Sequence, residues 1–74
     1  MTKTNAVATL YSKTEHTADE TTLAFSADYN DEVNKAWAKY TPALSISMVV
    51  INSVAETFEV GKTYLVTFEP KVAD

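Results

Sequence analysis

The stretch from Ala43 to Asn52, "ALSISMVVIN", carries no charge and alternates through its first half. Leu44, Ile46, Met48 and Val50 fall on one side of an extended chain, and Ser45, Ser47, Val49 and Ile51 on the other. That is the period-two pattern of a β-strand. Its beginning is half-exposed and its end is apolar on both faces, as in a strand passing under a second element. A segment of such high β-propensity without a charge is an aggregation hazard at a bare sheet edge. It is therefore expected either at the centre of a sheet or paired across a subunit interface.

Three further segments alternate in the same way. Ala6 to Ser12 places Val7, Thr9 and Tyr11 opposite Ala8 and Leu10, and Thr21 to Ala27 brings Leu23, Phe25 and Ala27 to one face. Between them "KTEHTADE" is polar and reads as a solvated loop or hairpin tip. Thr63 to Glu69 makes a last strand with Tyr64, Val66 and Phe68 inward, and Pro70 ends it. Gly61, the only glycine, stands where a tight turn before that strand needs a positive φ.

Two helical pieces interrupt the strands. Asn30 to Lys39 reads as a short helix capped by Asn30, with Asp31 and Glu32 in the first turn and an apolar stripe of Val33, Trp37 and Tyr40; an ordered loop with the same anchors is the alternative. Asp31 and Lys35 stand four apart in the favourable order, and Pro42 forces the stop. Ser53 to Glu56 has capping-box spacing and opens one helical turn. The expected fold is α+β and β-dominated. It is a small four-stranded antiparallel sheet or open barrel, with one short helix after the second strand and a helical turn before the last.

Seventy-four residues make one domain, 1–74, with about 1–5 and 71–74 as tails. A chain of this length buries only about 60% of its unfolded surface. The absence of cysteine removes disulfides and thiolate metal sites as sources of stability. Oligomerisation is the remaining common way to bury more, so a homo-oligomer is expected. The net charge is −4 and all six basic residues are lysine. An acidic chain without the bidentate fork of arginine is a poor match for duplex nucleic acid. The start, "MTKTN", is polar with no apolar core after it, and the longest apolar run, Met48 to Ile51, is too short to cross a bilayer. No membrane association is expected, and the chain reads as soluble and intracellular.

Catalytic and metal-binding patterns fare poorly. His16 stands in the polar loop beside Glu15 and Asp19 without rigid partners and reads as a solvated histidine. Asp28, Asn30 and Glu32 alternate as a calcium loop begins, but Val33 occupies the glycine position and Lys39 the closing glutamate position. A single glycine excludes phosphate-cradling and dinucleotide fingerprints, and no serine sits in a nucleophile elbow. No catalytic residue, metal or cofactor is expected. One cluster carries interest. Lys35, Trp37, Lys39 and Tyr40, with Lys62, interleave cations and aromatics, as a base-stacking, phosphate-neutralising surface would. The competing account is a helix whose aromatic stripe packs on the sheet while its lysines stay wet. Trp37 is assigned to the core, with Lys39 and Tyr40 exposed at its rim.

Two segments, "NKAWAKYTPALSISMVV" and "FEVGKTYLVTFEP", resemble a pattern in small tailed-bacteriophage proteins. Its elements are Asn34-Lys35, Trp37, Thr41-Pro42, Ser45 to Val50, Phe58, Gly61-Lys62, Tyr64 and Phe68 to Pro70, about the C-terminal 40 residues. Trp37 and Tyr40 stand where that pattern has smaller side chains, and both add aromatic surface. The resemblance implies a phage-encoded protein in the cytoplasm of a bacterial host, or on the virion, and supplies no activity. Two function classes follow. One is a non-enzymatic interaction or structural protein that self-associates or binds a phage or host protein. The other is a small-ligand binder, such as a counter-defence sponge for a nucleotide-derived signal, with the five cluster residues lining its site. A single-strand nucleic-acid binder is third, disfavoured by charge.

Overall fold

The structure, a computed structural model, describes residues 3–71. Its elements are β1 (Thr4–Glu15), β2 (Glu20–Ala27), a 3-10 helix (Glu32–Ala36), β3 (Ser45–Ile51), α1 (Asn52–Ala55) and β4 (Thr63–Phe68). The strands form one antiparallel sheet in the order β3-β2-β1-β4, an open half-barrel whose outer strands, β3 and β4, are not paired with each other. This is the β-dominated architecture that the alternation predicts. The Cα envelope measures 39 × 38 × 16 Å, so the molecule is one sheet with a thin cover on one side.

The inner face is built from Ala6, Ala8 and Leu10 of β1 and Leu23, Phe25 and Ala27 of β2, all buried, and Ala55 of α1 closes over them. Ile46 and Val50 of β3, Tyr64 and Val66 of β4, and Leu44 and Phe58 pack in from the sides. Small residues on β1 make room for rings from both flanks: Ala8 lies opposite Ala27 on one side and Tyr64 on the other. Phe25 meets Phe58 and Tyr64 edge-on at 6.0 and 5.9 Å, and the latter two rings lie 5.1 Å apart. The Tyr64 hydroxyl accepts the Glu59 N–H at 2.9 Å, which gives the ring's polar end a partner at the rim.

β1 runs past the expected end at Ser12, to Glu15, so the hairpin loop is only residues 16–19. Threonines explain the difference. Thr14 and Glu15 pair with Thr22 and Thr21, a polar β-branched ribbon that hydrophobic alternation does not reveal. The register shifts between Leu10 and Ser12, and this bulge turns Lys13 to the inner side opposite Leu23. There its ammonium donates to the Phe58 carbonyl at 2.9 Å and ties the hairpin to the segment that crosses the sheet. β1 also begins earlier than expected, at Thr4; the tail residues 1–2 and 72–74 lie outside the described residues.

The first helical piece is corrected. It is a 3-10 helix over Glu32–Ala36, capped by Asp31, whose carboxylate accepts the Val33 N–H at 2.9 Å. Asn30 is instead held by Asp28, whose carboxylate accepts its N–H at 3.0 Å. Lys35 pairs with Glu32, not with Asp31. Val33 and Tyr40 are exposed, so the apolar stripe does not pack as a unit. The residue that goes inside is Asn34, 0% exposed. β2 ends at Ala27; the Asp28 N–H still reaches the Val7 carbonyl of β1 at 3.0 Å, but the Val7 N–H has no backbone acceptor there. Asn34 Oδ1 accepts the Val7 N–H at 2.8 Å, and its Nδ2 donates to the carbonyls of Val7 and Asp28, each at 2.8 Å. A side-chain amide is a peptide group in miniature, and here it adds one rung to the ladder.

The second piece is α1, two residues earlier than the capping box suggests, with Ile51 rather than Ser53 at the cap position and no side-chain cap. Asn52 anchors its start by accepting from the Thr21 hydroxyl at 2.8 Å and donating to the Ala18 carbonyl at 3.1 Å. After the crossing, Gly61 adopts φ +95°, and its N–H donates to the Leu10 carbonyl at 2.8 Å.

Two stability effects are expected from these joints. Asn34→Ala leaves the Val7 N–H without its acceptor, while the Val7 and Asp28 carbonyls keep the N–H groups of Asp28 and Asp31, and should cost about 1–3 kcal/mol, read as a drop in urea midpoint. An unchanged midpoint would mean that the amide rung is dispensable. A Cβ at Gly61 would meet no atom within 4 Å, so the cost of Gly61→Val, about 1–3 kcal/mol, is expected chiefly from backbone strain at its positive φ. A midpoint equal to that of the parent would show the turn does not need its positive φ.

Candidate interaction surface

The structure gathers four of the five cluster residues on one segment and leaves the fifth elsewhere. Lys35 is ion-paired to Glu32 at 3.0 Å with both side chains largely exposed. Lys39 places its ammonium 5.3 Å from the Tyr40 ring centroid, and Tyr40 is 83% exposed. Trp37 is half-buried, between the core and surface accounts, and its Nε1–H is enclosed without a partner among the described residues. It walls a shallow cleft of about 420 Å³ together with Lys3, Thr4, Asn5, Val33 and Ala36.

Lys62 belongs to the other end of β1. Its carbonyl accepts the Leu10 N–H, whereas the Trp37 cleft abuts Thr4 and Asn5. At ~3.3 Å per strand residue the two places are roughly 17–20 Å apart. Lys62 is paired to Glu59 at 3.1 Å; the hydrogen bond to that carboxylate, then its charge, hold the amine above its ordinary pKa. The cations of the cluster are therefore dispersed, and two of them are already matched by carboxylates. His16 is exposed in the hairpin loop, and among the described residues no three His, Asp or Glu side chains are grouped to hold a metal ion. Asp28 and Asp31 use their carboxylates on backbone N–H groups.

The larger surface feature is apolar. Among the described residues only Leu10, Leu23 and Phe25 are buried hydrophobics larger than alanine, while eleven large apolar side chains are exposed. Five of the eleven sit on the two unpaired edges: Met48, Val49 and Ile51 on β3, Leu65 and Phe68 on β4. Between those edges the inner face opens as a groove of about 510 Å³, floored by Phe25 and walled by Ile46, Met48, Phe58, Tyr64 and Val66.

The edge position of β3 removes one of the two alternatives set by its composition. It is not central, since among the described residues β2 is its only strand neighbour. Its backbone can be oriented residue by residue. The Leu44 carbonyl accepts from Ala27 on the β2 side, and the Asn52 N–H donates to Asp19 on that same side. The intervening register has no bulge, so Ile46, Met48 and Val50 also turn their N–H and C=O toward β2. Ser45, Ser47, Val49 and Ile51 turn theirs outward. Sequence reasoning ranked the aromatic–lysine cluster above this edge. The signal for the edge was present in the doubly apolar end of "SISMVVI".

Comparison of the chain with protein-family models, curated proteins and solved structures found no match. Among the described residues no helix is long and apolar enough to cross a membrane.

Because Trp37 is only half-buried, Trp37→Ala should cost less than a fully buried tryptophan, about 1–2 kcal/mol rather than 3–5. The variant should remain folded, with a modestly lowered urea midpoint. Complete unfolding at room temperature would place Trp37 in the core instead.

Proposed function

We propose that this chain is a non-enzymatic interaction or structural protein that self-associates and docks on a larger protein of its phage or of the bacterial host. The observation that supports this reading is that only three large apolar side chains are fully buried among the described residues, while five of the eleven exposed ones lie on the two free strand edges. A free edge with exposed apolar side chains and no charge along the strand is one that natural sheets normally cover. The phage and host parts of the reading, with a place in the host cytoplasm or on the virion, rest on the C-terminal resemblance.

The small-ligand alternative has one observation in its favour, the cleft beside Trp37, with Lys3 on its wall. It lacks convergent cations. A nucleotide-derived signal carries phosphate, and of the proposed partners Lys35 and Lys62 are ion-paired and Lys62 is far away. A single-strand binder would need a positive groove, against a net charge of −4.

Native mass spectrometry of the protein purified from bacteria separates the readings. A dimer or higher closed assembly free of small molecules is the expected result. A single chain carrying a bound nucleotide would overturn the proposal in favour of the ligand reading.

A further inference from the structure

We infer that the chain forms a two-fold dimer by antiparallel pairing of β3 with β3 of a second copy, centred on Met48, joining two four-stranded sheets into one. The inference rests on the self-association reading and specifies its surface.

Three properties of β3 support it. The first is the supply of unpaired backbone. Ser45, Ser47, Val49 and Ile51 present outward N–H and C=O groups in an unbroken row, with no bulge, proline or charge along the strand. These are the devices by which natural edges are normally blunted. The other edge is better guarded: β4 is flanked by Lys62 at its start and by Glu69 and Pro70 at its end.

The second is self-complementarity. A two-fold axis at Met48 sets Ser47 opposite Val49 and Ser45 opposite Ile51. These are the outward-pointing residues, so both rungs become hydrogen-bonded pairs. It sets Ile46 opposite Val50 and Met48 opposite its own copy, as the closer, non-hydrogen-bonded pairs. Directly opposed residues share a face, so inner apolar side chains meet inner ones. All seven residues of the strand are used, and no like charges are opposed.

The third is the deficit it fills. Met48, Val49 and Ile51 are exposed in the single chain, and pairing would cover them. A seven-residue strand pair with its flanking side chains buries on the order of 1,000 Å² in total, near the lower bound of a specific interface. The dimer is accordingly expected to dissociate in the micromolar range.

The absence of native cysteine makes the register directly readable. In this register residue 48 faces its own copy with Cα atoms about 4.5 Å apart, within disulfide reach. Residue 47 lies diagonal to its own copy at about 7–8 Å, beyond that reach. Met48→Cys and Ser47→Cys are oxidised separately with glutathione disulfide and resolved on a non-reducing gel. The expected result is a covalent dimer from Met48→Cys at least tenfold more abundant than from Ser47→Cys. Ser47→Pro, which removes an outward N–H only, should keep the parent's circular dichroism and raise the dimer dissociation constant at least tenfold by sedimentation equilibrium.

Equal or inverted cross-linking would overturn the register. No Met48→Cys dimer from a protein that still sediments as an oligomer would overturn β3 pairing and leave self-association standing, for instance through β3 of one copy against β4 of the next. No cross-link from a protein that stays monomeric at high micromolar concentration would overturn both.

Discussion

The structure depends on β1 being longer than either strand beside it. β2 pairs with it from Ala8 to Glu15 and β4 from Thr4 to Thr9, so the two partners overlap only at Ala8 and Thr9. Such a stagger leaves an overhang on each side of the central strand, and a buried overhang with bare peptide groups would be costly. Both are patched from outside the strands. Asn34 supplies the missing rung at Val7, and Gly61 with Lys62 supplies it at Leu10. The loop conformations that looked secondary in the sequence are set by these two patches. The 3-10 helix delivers one amide to one place, and the positive φ of Gly61 does the same for one N–H.

What could be read in advance was what alternation reports. Four apolar-alternating segments gave four strands because each buries one face, and Gly61 was identifiable because few other residues tolerate its φ. The polar half of the hairpin escaped because threonines on both strands hold it without an apolar face. The helical stripe misled for a related reason. Val33, Trp37 and Tyr40 keep the spacing of a buried face, yet the segment is anchored by Asn34, whose value lies in hydrogen bonds that depend on where β2 happens to stop. No local pattern encodes that distance across the chain.

The candidate surface was legible in part. The cluster from Lys35 to Tyr40 is contiguous in sequence and stays contiguous in space, but Lys62 joined it only by residue type. Ion pairs at three-residue spacing to Glu32 and Glu59 account for two of the lysines locally. The β3 edge was the stronger signal because it combined two facts: no charge, and apolar side chains on both faces. Once the strand order places it outermost, the same composition that threatens aggregation becomes the feature most in need of a partner.

The pairing of β1 with β4 joins the two ends of the chain: Thr4 stands opposite Phe68, and the Thr67 hydroxyl donates to Asn5 Oδ1 at 2.9 Å. β1, β2 and β3 follow one another and pair as a meander through contacts between neighbours in sequence. Ala6 and Ala8 must wait for Tyr64 and Val66, which arrive some 60 residues later. Folding of this small protein therefore includes a long-range closing step, in which β4 must find β1 across nearly the whole described chain.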